Sequence, residues 1–143
     1  MKAEAPLYPE DKERGTRKFS TKGEFYINED DFSEIKRLKA KYFRLMHLFN
    51  VEIKGSKFLY HSTEVDEKLK AKIIHWLPAD SENLKKLVKA EILMPDIKII
   101  KGFAEQDISK QKVDDIIQFE RFGFCRLDAI DKKKTCKFWF TQK

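Results

Sequence analysis

The sequence predicts a mostly-β domain with one or two short helices, and three observations predict it. Apolar and polar residues alternate over several stretches, most clearly in YFRLMHLFNVEI at 42–53. The stretches are short and bounded by Gly, Pro, Asn or Asp, as strands are. Only one segment, NEDDFSEIKRLK at 28–39, changes clearly to a helical period.

In chain order, residues 1–22 hold two Pro, one Gly and dense charge, which predicts an extended arm with a turn near Gly15. GEFYIN (23–28) reads as a strand. In the helical segment Asn28 can cap, acidic residues fill the first turn, Phe32, Ile35 and Leu38 share a face, and Lys36, Arg37 and Lys39 suit the C-terminal end of the dipole. The stretch 42–53 reads as one long strand with Phe43, Leu45, Phe49, Val51 and Ile53 on one side and Tyr42, Arg44, Met46, Asn50 and Glu52 on the other. KFLYHS (57–62) returns across Gly55-Ser56 as a hairpin. LKAKIIHWLP (69–78) is a strand stopped by Pro78, and DSENLKKLVKAEILMP (80–95) is a cap, a helical turn and a strand. Strands in 97–107, 113–131 and 134–142 complete the set, roughly seven to nine in all, which favours a barrel-like domain.

Within IIQFERFGFCRLD (116–128) the alternation changes phase twice. A bulge near Glu120–Arg121 and a glycine bend at Gly123 would let one long strand curl, with Gln118 and Arg121 projecting from one outer surface.

Composition narrows the function. Twelve Phe supply a core, while 38% charged residues, mostly Lys and Glu, fit a very soluble surface or a hot habitat. A net charge of +6 favours polyanionic partners. Cys125 and Cys136 lie outside any CxxC and read as reduced thiols, though adjacent strands can bring them together. His47, His61 and His75 have no metal-ligand spacing and read as core or edge residues, so no metal is expected. No serine stands in a GxSxG elbow, no Gly-rich phosphate loop appears and no carboxylate pair is singled out, so no catalytic residue is expected. No apolar run reaches membrane-span length and the N-terminus has no apolar signal core, which predicts a cytoplasmic protein without a membrane partner. A binding module remains. Arg37, Arg44, Arg121 and Arg126 can pair with phosphate or stack on bases, and the Gln118 amide can read a base edge. Tyr42 and Trp76 can stack on bases, or can belong to the barrel interior.

The segments PLYPEDKERGTR, EFYINEDDF, KAKYFRLMHLFNVEI, KAKIIHWLPA, KGFAEQDI, IIQFERFGFCRLD and KFWFTQK, in that order, resemble the C-terminal anticodon-binding region of class I glutamyl- and glutaminyl-tRNA synthetases. The resemblance runs from about Pro6 to the last residue, and QFERFGF looks more like the archaeal glutamyl enzymes. It implies two small β-barrels with exchanged elements over 23–143, and a tRNA anticodon stem-loop as partner rather than DNA. It also implies a piece of a glutamate–tRNA ligase without cofactor of its own. ATP and glutamate would belong to an N-terminal catalytic domain, whose HIGH-type and KMSKS-type motifs are not in this sequence. By motif, Gln118 and Arg121 match the family's QFER residues near anticodon bases. Lys36, Arg37 and Arg44 match its basic positions around the long strand, and Thr141 matches a family Thr loosely. Met46 stands where glutaminyl enzymes often carry a second Arg, which departs from the glutaminyl pattern. Two other classes fit the composition: a general RNA-binding barrel of ribosomal-protein type, and a protein-docking module.

Overall fold

The computed structural model describes residues 2–6, 13 and 15–143, and the chain divides into two units, Met1–Asp80 and Ser81–Lys143. Both are built mainly from strands. Much of PLYPEDKERGTR, including most of the expected turn before Gly15, lies outside the described residues.

In the first unit β1 (Lys2–Pro6) pairs antiparallel with β2 (Thr16–Ser20). Phe19 of β2 meets Trp76 with ring centroids 5.1 Å apart, which ties this pair to the unit's core. β3 (Phe25–Ile27) leads into α1 (Glu29–Arg37). This helix forms where its cap and charges predict: Asn28 Oδ1 accepts from the Asp30 N–H at 2.8 Å, acids fill the first turn and bases the last. Ile35 is the one helix residue buried in the core. β4 (Tyr42–Leu45), β5 (Asn50–Lys54), β6 (Lys57–Ser62) and β7 (Lys72–Ile74) form a sheet ordered β6-β5-β4-β7, with β4 and β7 parallel. β8 (Trp76–Pro78) pairs with β3. The core gathers Ile35, Phe43, Leu45, Leu48, Phe49, Val51, Ile74 and Trp76.

The second unit begins with the single turn α2 (Ser81–Leu84). β9 (Val88–Leu93), β10 (Ile99–Ala104), β11 (Ile116–Phe119), β12 (Gly123–Ile130) and β13 (Cys136–Gln142) form a sheet ordered β10-β9-β13-β12-β11, with β9 and β13 parallel. Cys125, Leu127, Cys136 and Phe138 are its most deeply buried side chains. The two cysteines sit on neighbouring strands, but Cys125 pairs with Phe140 and Cys136 with Ile130, so both are free thiols.

Four expectations are corrected. The sheets do not close into barrels, because their edge strands are not hydrogen-bonded to one another. Side chains from other segments fill the cores instead: Ile35 from α1, and Ile108 from the 3-10 turn Gln106–Lys110. Each sheet takes its strands from one unit.

The stretch 42–53 is not one strand. It is a hairpin closed by Leu45 N–H to Phe49 C=O at 3.0 Å, with His47 at φ 59°. Asn50, expected outward, is 1% exposed. The stretch 69–78 breaks at His75, so that β7 can pair with β4 and β8 with β3. Finally, 116–128 does not curl as one strand. Residues 120–122 form a turn, and the irregularities lie later, at Phe124/Cys125 and Leu127/Ala129.

Candidate RNA-binding surfaces

The β11–β12 hairpin sets up the first surface. Phe119 pairs with Gly123 across Glu120, Arg121 and Phe122, and the Phe122 N–H donates to the Phe119 carbonyl at 2.9 Å. Arg121 sits at the middle of the loop with φ 63°, a left-handed conformation costly for a residue bearing a Cβ. Gly123 must be glycine. A Cβ there would lie 2.6 Å from the Gln142 carbonyl oxygen and 2.7 Å from Phe140 Cε2, and its φ of 147° is hostile to L side chains. The close approach lets Phe122 pack edge-on against Phe140 at 5.8 Å and Phe119 against Phe138 at 5.1 Å. The loop therefore stands on a rigid aromatic base.

Gln118 faces outward with its cross-strand partner Phe124 and is exposed. Its amide has no hydrogen-bond partner among the described residues, so both donor and acceptor are available. Thr141 is exposed, but its hydroxyl donates to the Phe124 carbonyl at 2.9 Å, where the register shifts. It shapes the sheet beside Gln118 and retains only acceptor capacity. Arg126 is engaged by Asp114 at 2.9 Å and Asp128 at 3.8 Å.

The first unit offers a second surface. Lys36 and Arg37 end α1 and are exposed, Lys36 lying 4.2 Å from the centroid of the Phe32 ring. Two acids of α1, Asp31 and Glu34, are turned toward another base. Lys72 of β7 bonds Asp31 at 2.8 Å and also bonds Glu34. Its ammonium, held first by Asp31, has a raised pKa, while the Lys72 bond pulls the Glu34 carboxyl below its ordinary range. With Glu34 occupied by Lys72, the basic last turn is left facing solvent.

Arg44 is half-buried. Its Nη1 donates to Asn50 Oδ1 at 3.1 Å, to the Thr63 carbonyl at 3.0 Å and, more weakly, to the Glu64 carbonyl at 3.4 Å. Asn50 Nδ2 donates in turn to Ser62 Oγ at 2.9 Å and the Glu64 carbonyl at 2.7 Å. Arg44 is thus a brace for the chain leaving β6, with its remaining nitrogens unbonded to described residues. Beside it Tyr42 meets His61 edge-on at 5.0 Å, and Lys41 lies 5.2 Å from the Tyr42 centroid. Trp76 is a core residue, its Nε1 donating to the Met46 carbonyl at 2.8 Å.

The structure therefore groups Gln118, Arg121 and Thr141 around one hairpin, and places Lys36, Arg37 and Arg44 in the other unit. Sequence reasoning missed the Asn50 network, for which an Asn inside an alternating apolar stretch was the available signal. It also missed the exposure of Trp139, which the out-of-phase position between Phe138 and Phe140 could have given.

Open mostly-β units displaying amide, guanidinium and ammonium groups suit a nucleic-acid-binding class of domain, and family comparison points to one. Residues 1–74 match one family model described as tRNA synthetases class I (E and Q), anti-codon binding domain, and residues 73–128 match a second of the same description. The chain belongs to this anticodon-binding family. Among proteins it is similar to are the glutamate–tRNA ligases of Methanocaldococcus jannaschii, 44% identical over 131 residues, and Methanothermobacter thermautotrophicus, 39% identical over 131 residues. These matches cover 87% and 90% of this chain but 22% of each ligase. The glutamate–tRNA ligase of Pyrococcus furiosus is 37% identical over 145 residues, covering 94% of the chain and 24% of that protein. The chain thus spans less than a quarter of the length of these relatives.

Proposed function

We propose that the chain reads the anticodon loop of a glutamate-accepting tRNA in the cytoplasm, on behalf of a catalytic domain that activates glutamate with ATP. The observation that carries this reading is the exposed, unpartnered amide of Gln118 beside the Arg121 loop, in the part of the chain that matches the second family model. Unpaired bases offer their edges to groups of this kind. Gln118 donates to and accepts from a base edge, and Arg121 reaches a neighbouring base or phosphate. Lys36 and Arg37 contribute attraction for phosphates, Arg44 offers its remaining nitrogens, and Thr141 accepts through its oxygen. No cofactor is assigned to this chain.

Titrating the chain with glutamate tRNA transcripts altered one anticodon base at a time tests the reading. One base should cost about 1–3 kcal/mol, by analogy with direct readout in DNA, and affinity should fall steeply with salt. Equal affinity for every transcript would replace it with general RNA binding, and no binding with protein docking. ATP–pyrophosphate exchange by the chain alone should give no signal.

A further inference from the structure

The outer face of the five-stranded sheet carries a row of side chains that this reading does not use. Register places Ile99 beside Leu93, Leu93 beside Trp139, Trp139 beside Arg126 and Arg126 beside Ile116. Directly paired residues share a face, so the five form one line, about 19 Å long at about 4.8 Å per strand. Trp139 is 48% exposed, Ile99 56% and Ile116 64%. Single exposed apolar residues need no explanation, but a line across every strand of a sheet does.

At the centre of the line the Arg126 guanidinium lies 5.5 Å from the Trp139 ring centroid, positioned by its bond to Asp114 and its looser ion pair with Asp128. Lys137, two residues from Trp139 and on the same face, is exposed and makes no ion pair among the described residues. An aromatic plane with one fixed cation and one cation outside any ion pair suits a stacked base followed by a phosphate. The dry, Lys-poor centre of a protein interface has a different composition. Gln118 lies on this same face, one row along from Ile116 and about 12 Å from Trp139 by strand geometry.

We propose that Trp139, with Arg126 over it and Lys137 beside it, is a stacking platform for one unpaired nucleotide of the tRNA, a step or two along the strand from the base met by Gln118. The assignment rests on the anticodon reading above and extends it to residues outside the QFER motif.

The experiment uses the whole chain and the anticodon stem-loop of a glutamate tRNA. Trp76 is 5% exposed, so acrylamide quenching reports chiefly on Trp139. Saturating RNA should shield that fluorescence. Trp139→Ala should weaken binding about tenfold, Trp139→Phe should retain most of the affinity, and Lys137→Gln should lower the logarithmic salt slope by about 0.7. Circular dichroism checks that the variants fold. Unchanged affinity in Trp139→Ala, with quenching unaltered by RNA, overturns the platform; if Gln118→Ala still weakens binding, the anticodon reading survives. If Trp139→Ala weakens binding and Gln118→Ala does not, the platform stands and the role of Gln118 falls. A dimer in sedimentation that Trp139→Ala dissociates overturns the platform in favour of a self-association face.

Discussion

The two units contain the same turn and put different residues on it. In the first, Leu45 and Phe49 close a loop of Met46, His47 and Leu48; in the second, Phe119 and Gly123 close a loop of Glu120, Arg121 and Phe122. The third loop residue donates back to the residue before the loop in both, at 3.0 Å and 2.9 Å, and the middle residue takes a positive φ, 59° at His47 and 63° at Arg121. That is the place where a type II turn takes Gly or Asn. Their surroundings differ. The first turn is held by Met46, whose carbonyl accepts from Trp76 and whose N–H donates to the Ile74 carbonyl at 3.0 Å. The second carries the residues matched to RNA reading. Basic side chains differ in use even within the first unit: Lys72 and Arg44 fasten helix, strand and loop together, while Lys36 and Arg37 face solvent. A positive charge in the sequence is therefore no measure of a positive charge offered to a partner.

The largest way to break this comparison is Gly123→Ala. With the left-handed φ and a Cβ 2.6 Å from a carbonyl oxygen, the second unit should lose about 2–4 kcal/mol. Urea unfolding should show this loss confined to the transition of that unit; wild-type stability would mean that the hairpin base is not rigid. Next, Arg44→Ala should cost about 1–3 kcal/mol of stability, because it removes the donor to buried Asn50. Gln118→Ala should leave the melting curve unchanged while reducing anticodon-loop affinity by about 1–3 kcal/mol. The pair of measurements separates brace from reader, and a stability loss in Gln118→Ala would erase the distinction.

Replacing the strained middle residues sharpens it further. His47→Gly should stabilise by about 0.5–1 kcal/mol with RNA affinity unaltered, whereas Arg121→Gly should reduce affinity. The smallest effect concerns pH. Because Lys72 depresses the Glu34 carboxyl, its contribution is present above the unfolded-chain value and is lost as pH falls through the lower folded value. Replacing Glu34 with Gln should flatten the acid limb of the stability profile slightly, and an identical limb would count against the Lys72 link.

The turns also explain what could be read from the letters. The α1 helix was legible because its cap, acidic start and basic end agree, and Gly55-Ser56 was legible because a two-residue hairpin needs such a pair, with Gly55 at φ 62°. The loops at 46–48 and 120–122 were not. Residues that close a three-residue loop are four apart, so the inward positions stay odd-numbered on both arms: Phe43, Leu45, Phe49 and Val51, then Ile117, Phe119, Cys125 and Leu127. Alternation therefore passes through the first turn without a trace, and at the second only Phe122 and Phe124, apolar at even positions, break its phase. Of the candidate site residues, the sequence offers Gln118 and Arg121 through their resemblance to the QFER motif. It could not show that Arg44 also braces the chain, since the carbonyls of Thr63 and Glu64 that it bonds lie about twenty positions away. The partners of Thr141 were hidden for the same reason.

The second sheet ends on β10, an edge strand whose run includes the exposed Ile99, Ile100 and Phe103. Such a border is a template on which a foreign strand can zip, and here Lys98 and Lys101 punctuate it and Pro95 precedes it. Lysines so placed suit a gatekeeper's duty against fibrillar growth, one independent of any RNA, and neutralising them should show as turbidity at high protein concentration.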